Sequence, residues 1–220
     1  MILRKVAAIV IAASAAAACA PEPAAVDHPE ETAPIRVAVD PANTEQRVMG
    51  ELYTRSLVRH GRQAYIDLNI QNPPSIETLT SGESDLMVGC TGSILNELNP
   101  QLAEQLSKQY VADQKAGKVD KNSGTWRDKV NKEMVGSLPG SLAAPNPSDT
   151  KGCEHYDGPE LPQNLVPIYR KPMLDRHSRE VVNEVTGNIS QNDLKQLKNE
   201  VDRTSSVSAA VEPYLNAKGL

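Results

Sequence analysis

The stretch IRVAVDPANTEQRVMGELYTRSLVRHGRQAYIDLNI, Ile35 to Ile70, decides the fold class. Ile35 to Val39 is a short β-branched run, and Asp40-Pro41 ends it with turn chemistry. Asn43 or Thr44 can then cap a helix with Glu45 in its first turn. Met49, Leu52, Tyr53 and Leu57 recur at helical spacing, and Gly61 after Arg59 and His60 supplies the stop. From Tyr65 the period changes to two, placing Ile66, Leu68 and Ile70 on one face of a strand. Asn72-Pro73-Pro74 breaks the chain, Ser75 caps a short helix through Thr80 that stops at Gly82, and Asp85 to Val88 reads as a third strand. Strands separated by helices need crossovers, which are right-handed and give a mostly parallel sheet. The class is α/β.

Further along, Pro100 to Ala116 carries Leu102, Leu106 and Val111 near helical spacing among polar residues and ends at Gly117. Lys118 to Gly124 is a charged loop, and Thr125 to Met134 makes a short helix around Trp126. Pro139 to Pro162 is dense in Pro, Gly, Asn and Asp, with a short strand expected near Ser141 to Ala144. Asn164 to Arg170 reads as a strand interrupted by Pro167. Helices follow over Ser178 to Val185, Ser190 to Arg203 and Ser208 to Ala217. In the second of these, Ser190 and Asp193 have capping-box spacing, and Leu194, Leu197 and Val201 form its buried stripe.

Toward the other end the character changes. Arg4 and Lys5 form a short positive region, and Val6 to Ala18 an apolar, alanine-rich run ending in small residues, which together read as a signal peptide over 1–18. That run is short for a permanent span, and no later one approaches the roughly 20 apolar residues that a transmembrane helix needs. Cys19, directly after Ala16-Ala17-Ala18, resembles the cysteine of a bacterial lipobox, with a permissive alanine where leucine is commoner. The resemblance implies lipidation of Cys19 and attachment to the outer face of the cell membrane. The alternative is ordinary cleavage that leaves a cysteine nearby. Pro21, Pro23, Pro29 and Pro34 among acidic residues mark 19–34 as a disordered tether, a composition unable to bury enough apolar surface to fold.

Composition narrows the function. There is no Phe and one Trp among 220 residues, so the core must come from Leu, Val, Ile and Ala. A net charge of -5 supplies no basic field for nucleic acid. With Cys19 lipidated, Cys90 and Cys153 remain, and outside the cytoplasm an even pair points to a disulfide. Closing that loop stabilises a fold by about 4 kcal/mol in the chain-entropy model. The alternative is two separately buried thiols.

Several segments carry a family resemblance. VAVDPANTEQRVMGELYTRSLVRHG, Val37 to Gly61, resembles the first strand and helix of glycine betaine, choline and carnitine (quaternary amine) substrate-binding proteins of ABC transporters. LTSGESDLMVGCTGSIL, Leu79 to Leu95, resembles that family's Gly-Glu-x-Asp turn, strand and Tyr-Thr-Gly-Thr loop. LPQNLVPIYRKPML, Leu161 to Leu174, is similar to its returning strand, and SQNDLKQLKNEVD with the final LNAKGL to its closing helices. Their order and spacing carry the resemblance.

It implies a periplasmic-binding-protein-like (type II) fold of two α/β lobes around a ligand cleft. Here 35–95 and 161–220 would form the main lobe, and 96–160, too short for the family's usual second lobe, a reduced second lobe or cap. The implied role is a lipid-anchored receptor on the extracytoplasmic face that delivers a small polar or cationic solute to a membrane permease. Because a separate cassette ATPase drives such importers, no nucleotide or other cofactor is expected. Quaternary ammonium groups have no hydrogen-bond donor and are held chiefly by cation–π attraction to aromatic faces. The tyrosine position before Thr-Gly-Thr is Cys90 here, and the aromatic expected beside Asn164 is Gln163, so two cage walls are replaced. Gln46, Thr91 and Ser93 match polar positions of the family's pocket and are expected ligand contacts. Each also has a structural alternative: a solvent-facing side chain for Gln46, helix capping for Thr91 and Ser93.

Other chemistry is weakly represented. His155 follows Cys153 by two residues, but a structural zinc wants four ligands with paired spacings, and no second pair exists. No Gly-x-Ser-x-Gly elbow occurs, and an enzyme is not expected. Two classes of function follow: a solute receptor, or a non-transport envelope lipoprotein that uses a degenerate binding-protein fold for protein–protein interaction.

Overall fold

A computed structural model describes residues 32–67, 73–121 and 123–220. Its centre is β1, Ile35–Ala38, whose alternate side chains enter two different cores: Ile35 and Val37 one, Ala38 the other. Both faces of β1 are therefore covered, as parallel strands require. β2 (Ala64–Asp67) and β3 (Leu86–Cys90) flank it in parallel. β5 (Leu165–Arg170) pairs antiparallel with β3, and the two-residue β4 (Leu142–Ala143) antiparallel with β5. The order is β2-β1-β3-β5-β4, a mixed sheet. Of the strand expected from Tyr65, Ile66 is half-buried in β2, while Leu68 and Ile70 lie outside the described residues.

The first face is covered by α1 (Thr44–Arg59), α6 (Arg176–Asn188), α7 (Gln191–Thr204) and α8 (Val207–Lys218). Met49, Leu52, Tyr53 and Leu57 of α1 pack there with Val181, Val182 and Val185 of α6 and Leu194, Leu197 and Val201 of α7. Gly50 lets α1 settle closely on β1, since a Cβ there would stand 2.3 Å from Val39 Cγ1. On the second face lie α2 (Ile76–Thr80), α3 (Thr91–Leu98), α4 (Pro100–Lys115) and α5 (Gly124–Ser137). Their buried side chains include Leu79, Leu95, Leu106, Tyr110, Trp126 and Met134. Tyr110 and Trp126 stack at 5.2 Å between ring centres, so the lone tryptophan is a core residue.

Residues 35–95 and 161–220 thus share one sheet. The stretch 96–160 is packed as a layer of the same body, since β4 joins β5 and α4 and α5 belong to the second core. Pro167 does not interrupt β5. Arg170 N–H turns toward β3, donating to Asp85 O, whereas Leu165 N–H turns the other way, to Thr150 O. By this alternation the nitrogen of Pro167 faces away from β3, between the end of β4 and Ser148, where no ladder donor is needed.

At the amino end of β3, Asp85 is fully buried and saturated. Oδ1 accepts from Arg36 Nη2 at 3.0 Å and Arg170 Nη1 at 2.9 Å, and Oδ2 accepts from the Arg36 backbone and Nε at 2.9 Å. This ties the first, third and fifth strands together. Among the described residues no helix is long and apolar enough to cross a membrane.

Candidate functional site

The connections leaving β1 and β3 diverge. α1 leaves the carboxyl end of β1 to cover the first face, while α3, leaving the carboxyl end of β3, covers the second. Such a switch point leaves a crevice at the carboxyl ends of the strands, the usual ligand position in open α/β sheets. Here the crevice is a cleft of about 700 Å³. Its floor is Asp40 after β1, Ala42 to Glu45 at the start of α1, and Ser93 in the first turn of α3; its wall is the segment Cys153 to Asp157, with Pro73 and Lys198 at the sides.

The wall is fastened by chemistry. Cys90, the last residue of β3, is bonded to Cys153 across a Cα–Cα distance of 6.3 Å. The backbone before it is bound to the sheet as well: Gly152 N–H donates to Gln163 O, and Leu165 N–H to Thr150 O. The last residue of β3 is therefore half of a cystine that supports the cleft from beneath.

The polar residues expected to meet a ligand are mostly engaged within the protein. Gln46 Oε1 accepts from Asp40 N–H at 3.0 Å, fixing the turn between β1 and α1. Thr91 is fully buried; its hydroxyl donates to Pro162 O at 3.0 Å and accepts from Asn164 N–H at 3.2 Å. Gln163 Oε1 accepts from Ser93 N–H at 3.0 Å, capping the first turn of α3. Gly92 makes room for that bridge, since a Cβ would stand 2.7 Å from Gln163 Nε2 and 2.9 Å from Leu161 Cβ. Of the five positions Gln46, Cys90, Thr91, Ser93 and Gln163, Ser93 alone lines this cleft; Gln163 lines a neighbouring one on the far side of the Cys153 segment.

Residues not anticipated as a site line it instead: Asp40, Glu45, Glu154, His155, Tyr156 and Asp157. Glu45 is nearly buried and paired with Lys198 Nζ at 2.6 Å. Burial lifts the Tyr156 phenol above its ordinary pKa. Among the described residues no basic side chain forms an ion pair with Asp40, Glu154 or Asp157. The signal that locates them in the sequence is the cysteine pair, which carries the residues after Cys153 to the end of β3. Because Cys153 is held in the disulfide, it has no thiolate to offer a metal beside His155.

No protein-family model matches the sequence, and no curated protein is similar to it at a significant level. Solved structures do match. Apo YehZ from Escherichia coli superimposes with a TM-score of 0.59 at 12% identity, over 85% of this chain and 99% of that one. A glycine betaine/carnitine/choline ABC transporter structure superimposes with a TM-score of 0.57 at 10% identity, over 84% of this chain and 98% of that one. The chain has the fold of a substrate-binding protein.

Proposed function

We propose that this chain is an extracytoplasmic solute receptor, anchored by lipid on Cys19, which presents a small polar or cationic molecule to the permease of an ABC importer. The observation that carries the proposal is the cleft at the switch point, with the starts of α1 and α3 on its floor and a disulfide-fastened segment as its wall. In this reading 1–18 is removed on export and 19–34 is the tether. The likeness to a glycine betaine/carnitine/choline transporter structure supports the class of function.

A second reading is favoured by one specific observation: the aromatic side chains are deployed elsewhere. Tyr53, Tyr110, Trp126 and Tyr169 are buried in the cores and Tyr65 and Tyr214 lie away from the cleft, leaving Tyr156 as the tyrosine that lines it among the described residues. Under that reading the protein is an envelope lipoprotein acting through protein–protein contact. A thermal-shift series on the oxidised full chain separates the two. A receptor gains stability with ligand concentration, by about 2.7 kcal/mol at a hundredfold excess over Kd. Stabilisation by any of glycine betaine, choline, carnitine, proline or ethanolamine supports the receptor; no response to any of them favours the second reading.

A further inference from the structure

We infer that His60 and His177 form a binding site for a divalent late first-row metal ion, Cu2+, Ni2+ or Zn2+, which bridges the end of α1 and the start of α6. The inference stands apart from the receptor reading. α1 has 16 residues and is about 24 Å long, and the cleft lies at its other end.

Two observations lead there. The first is the spacing of the rings. The His60 and His177 imidazoles meet edge to face with their centres 5.7 Å apart. A metal ion bonded to one nitrogen of each ring at about 2.0–2.1 Å holds two imidazole centres roughly 5–6 Å apart. The rings already stand at that separation, on two helices packed into the same core and joined by a 2.9 Å hydrogen bond between the Tyr53 and Thr186 hydroxyls. The second is the tautomer of His60. Its Nδ1 lies 2.8 Å from Ser56 O, and a carbonyl can only accept, so Nδ1 carries the proton of the neutral ring. Nε2 keeps its lone pair. Donation of one ring N–H to a backbone carbonyl is the support that metal-ligating imidazoles ordinarily have, and it makes the other nitrogen more basic.

His60 is half-buried and His177 exposed, so an ion has a way in. Among the described residues no group of three or more His, Cys, Asp or Glu side chains could hold a metal, so water completes the coordination here. Two imidazoles select the late transition metals over Mg2+ and Ca2+, which take oxygen ligands. The charges nearby balance: Arg62 and the start of α6 oppose a cation, while the Asp175 carboxylate and the last carbonyls of α1 favour one.

The test is an amide NMR titration of the oxidised, tag-free full chain with Cu2+ alone, the ion bound most tightly in the divalent series. The chain carries Cys19→Ser to remove a competing thiol. At substoichiometric Cu2+, paramagnetic broadening should appear together at the end of α1, around 58–62, and the start of α6, around 175–179. By calorimetry His177→Ala should weaken Cu2+ binding about tenfold or more, a loss that removal even of a supporting partner can produce. The thermal midpoint of the free protein should not move, because residue 177 is exposed. His155→Ala should leave Cu2+ affinity unchanged. Broadening at one of the two helix ends only, or centred instead on His28 or His155, overturns the inference. Affinity that His177→Ala leaves intact overturns it too, and reduces the pair to an aromatic contact.

Discussion

The Thr91 hydroxyl joins the start of α3 to the approach of β5, donating to Pro162 O at 3.0 Å and accepting from Asn164 N–H at 3.2 Å. The Thr91 backbone N–H donates to Asn164 O beside it. A position matched to a family's pocket thus serves as a bolt in the fold. Thr91→Val keeps the shape and strands a buried carbonyl and a buried N–H, so it should cost about 1–3 kcal/mol in chemical denaturation. Thr91→Ser should restore most of that. A direct ligand contact would show the opposite pattern, with affinity falling and stability unchanged.

Asp85 holds three strands together through Arg36 and Arg170. Asp85→Asn leaves two guanidinium groups facing a neutral amide in a site with no exposure of residue 85, and should destabilise by about 3 kcal/mol. The cluster lies at the amino end of β3, opposite the cleft, so ligand affinity of the folded variant should match the wild type. A loss below about 1 kcal/mol would show that water compensates the arginines.

The Cys90–Cys153 bond closes a sequence separation of 63 residues, worth about 4 kcal/mol in the chain-entropy model. Alkylation under denaturing conditions without reductant should leave both cysteines unlabelled, and prior reduction should add two labels to the peptides that contain them. Urea denaturation of the Cys90→Ser, Cys153→Ser variant should fall short of wild type by a similar energy. Equal labelling with and without reductant would remove the fastening of the cleft wall.

The helix pattern from Met49 to Leu57 was legible because tertiary burial repeats the helical period, and the Ser190 box because capping is local chemistry. Helix ends moved by a residue or a few: the segment expected over Ser178 to Val185 runs from Arg176 to Asn188, since the Asp175 side chain caps it by accepting from Ser178 N–H. The cleft was less legible. Whether Gln46 or Thr91 meets a ligand depends on what stands opposite, and Asp40, Pro162 and Asn164 are brought there by tertiary structure. The segment Glu154 to Asp157 carries no periodicity, and the cystine together with the backbone bonds at Thr150 and Gly152 places it against the sheet.

The Ser190 capping box supplies a pH-dependent prediction. Partial burial pushes the Asp193 carboxyl upward, but hydrogen bonds from the Ser190 hydroxyl and backbone N–H, with Lys218 nearby, outweigh it and hold its pKa below the ordinary 3.8. An acid with a depressed folded pKa stabilises the protein above its unfolded value and loses that contribution as pH falls through the folded one. Ser190→Ala should therefore cost about 1 kcal/mol at neutral pH. The gap between variant and wild type should narrow below pH 3.8 without closing, because Ser190 Oγ also accepts from Asp193 N–H. A gap independent of pH would place the whole effect in that last bond.

The switch-point cleft as the seat of a solute is tested most directly by a two-dimensional amide NMR titration of the oxidised full chain with ethanolamine. Saturable shift changes should gather at Ala42 to Glu45, Ser93 and Cys153 to Asp157, which converge on the cleft from three separate parts of the sequence. Changes centred instead on the groove between α5 and α6, around Asn131 and Asn183, or no saturable change anywhere, would contradict it.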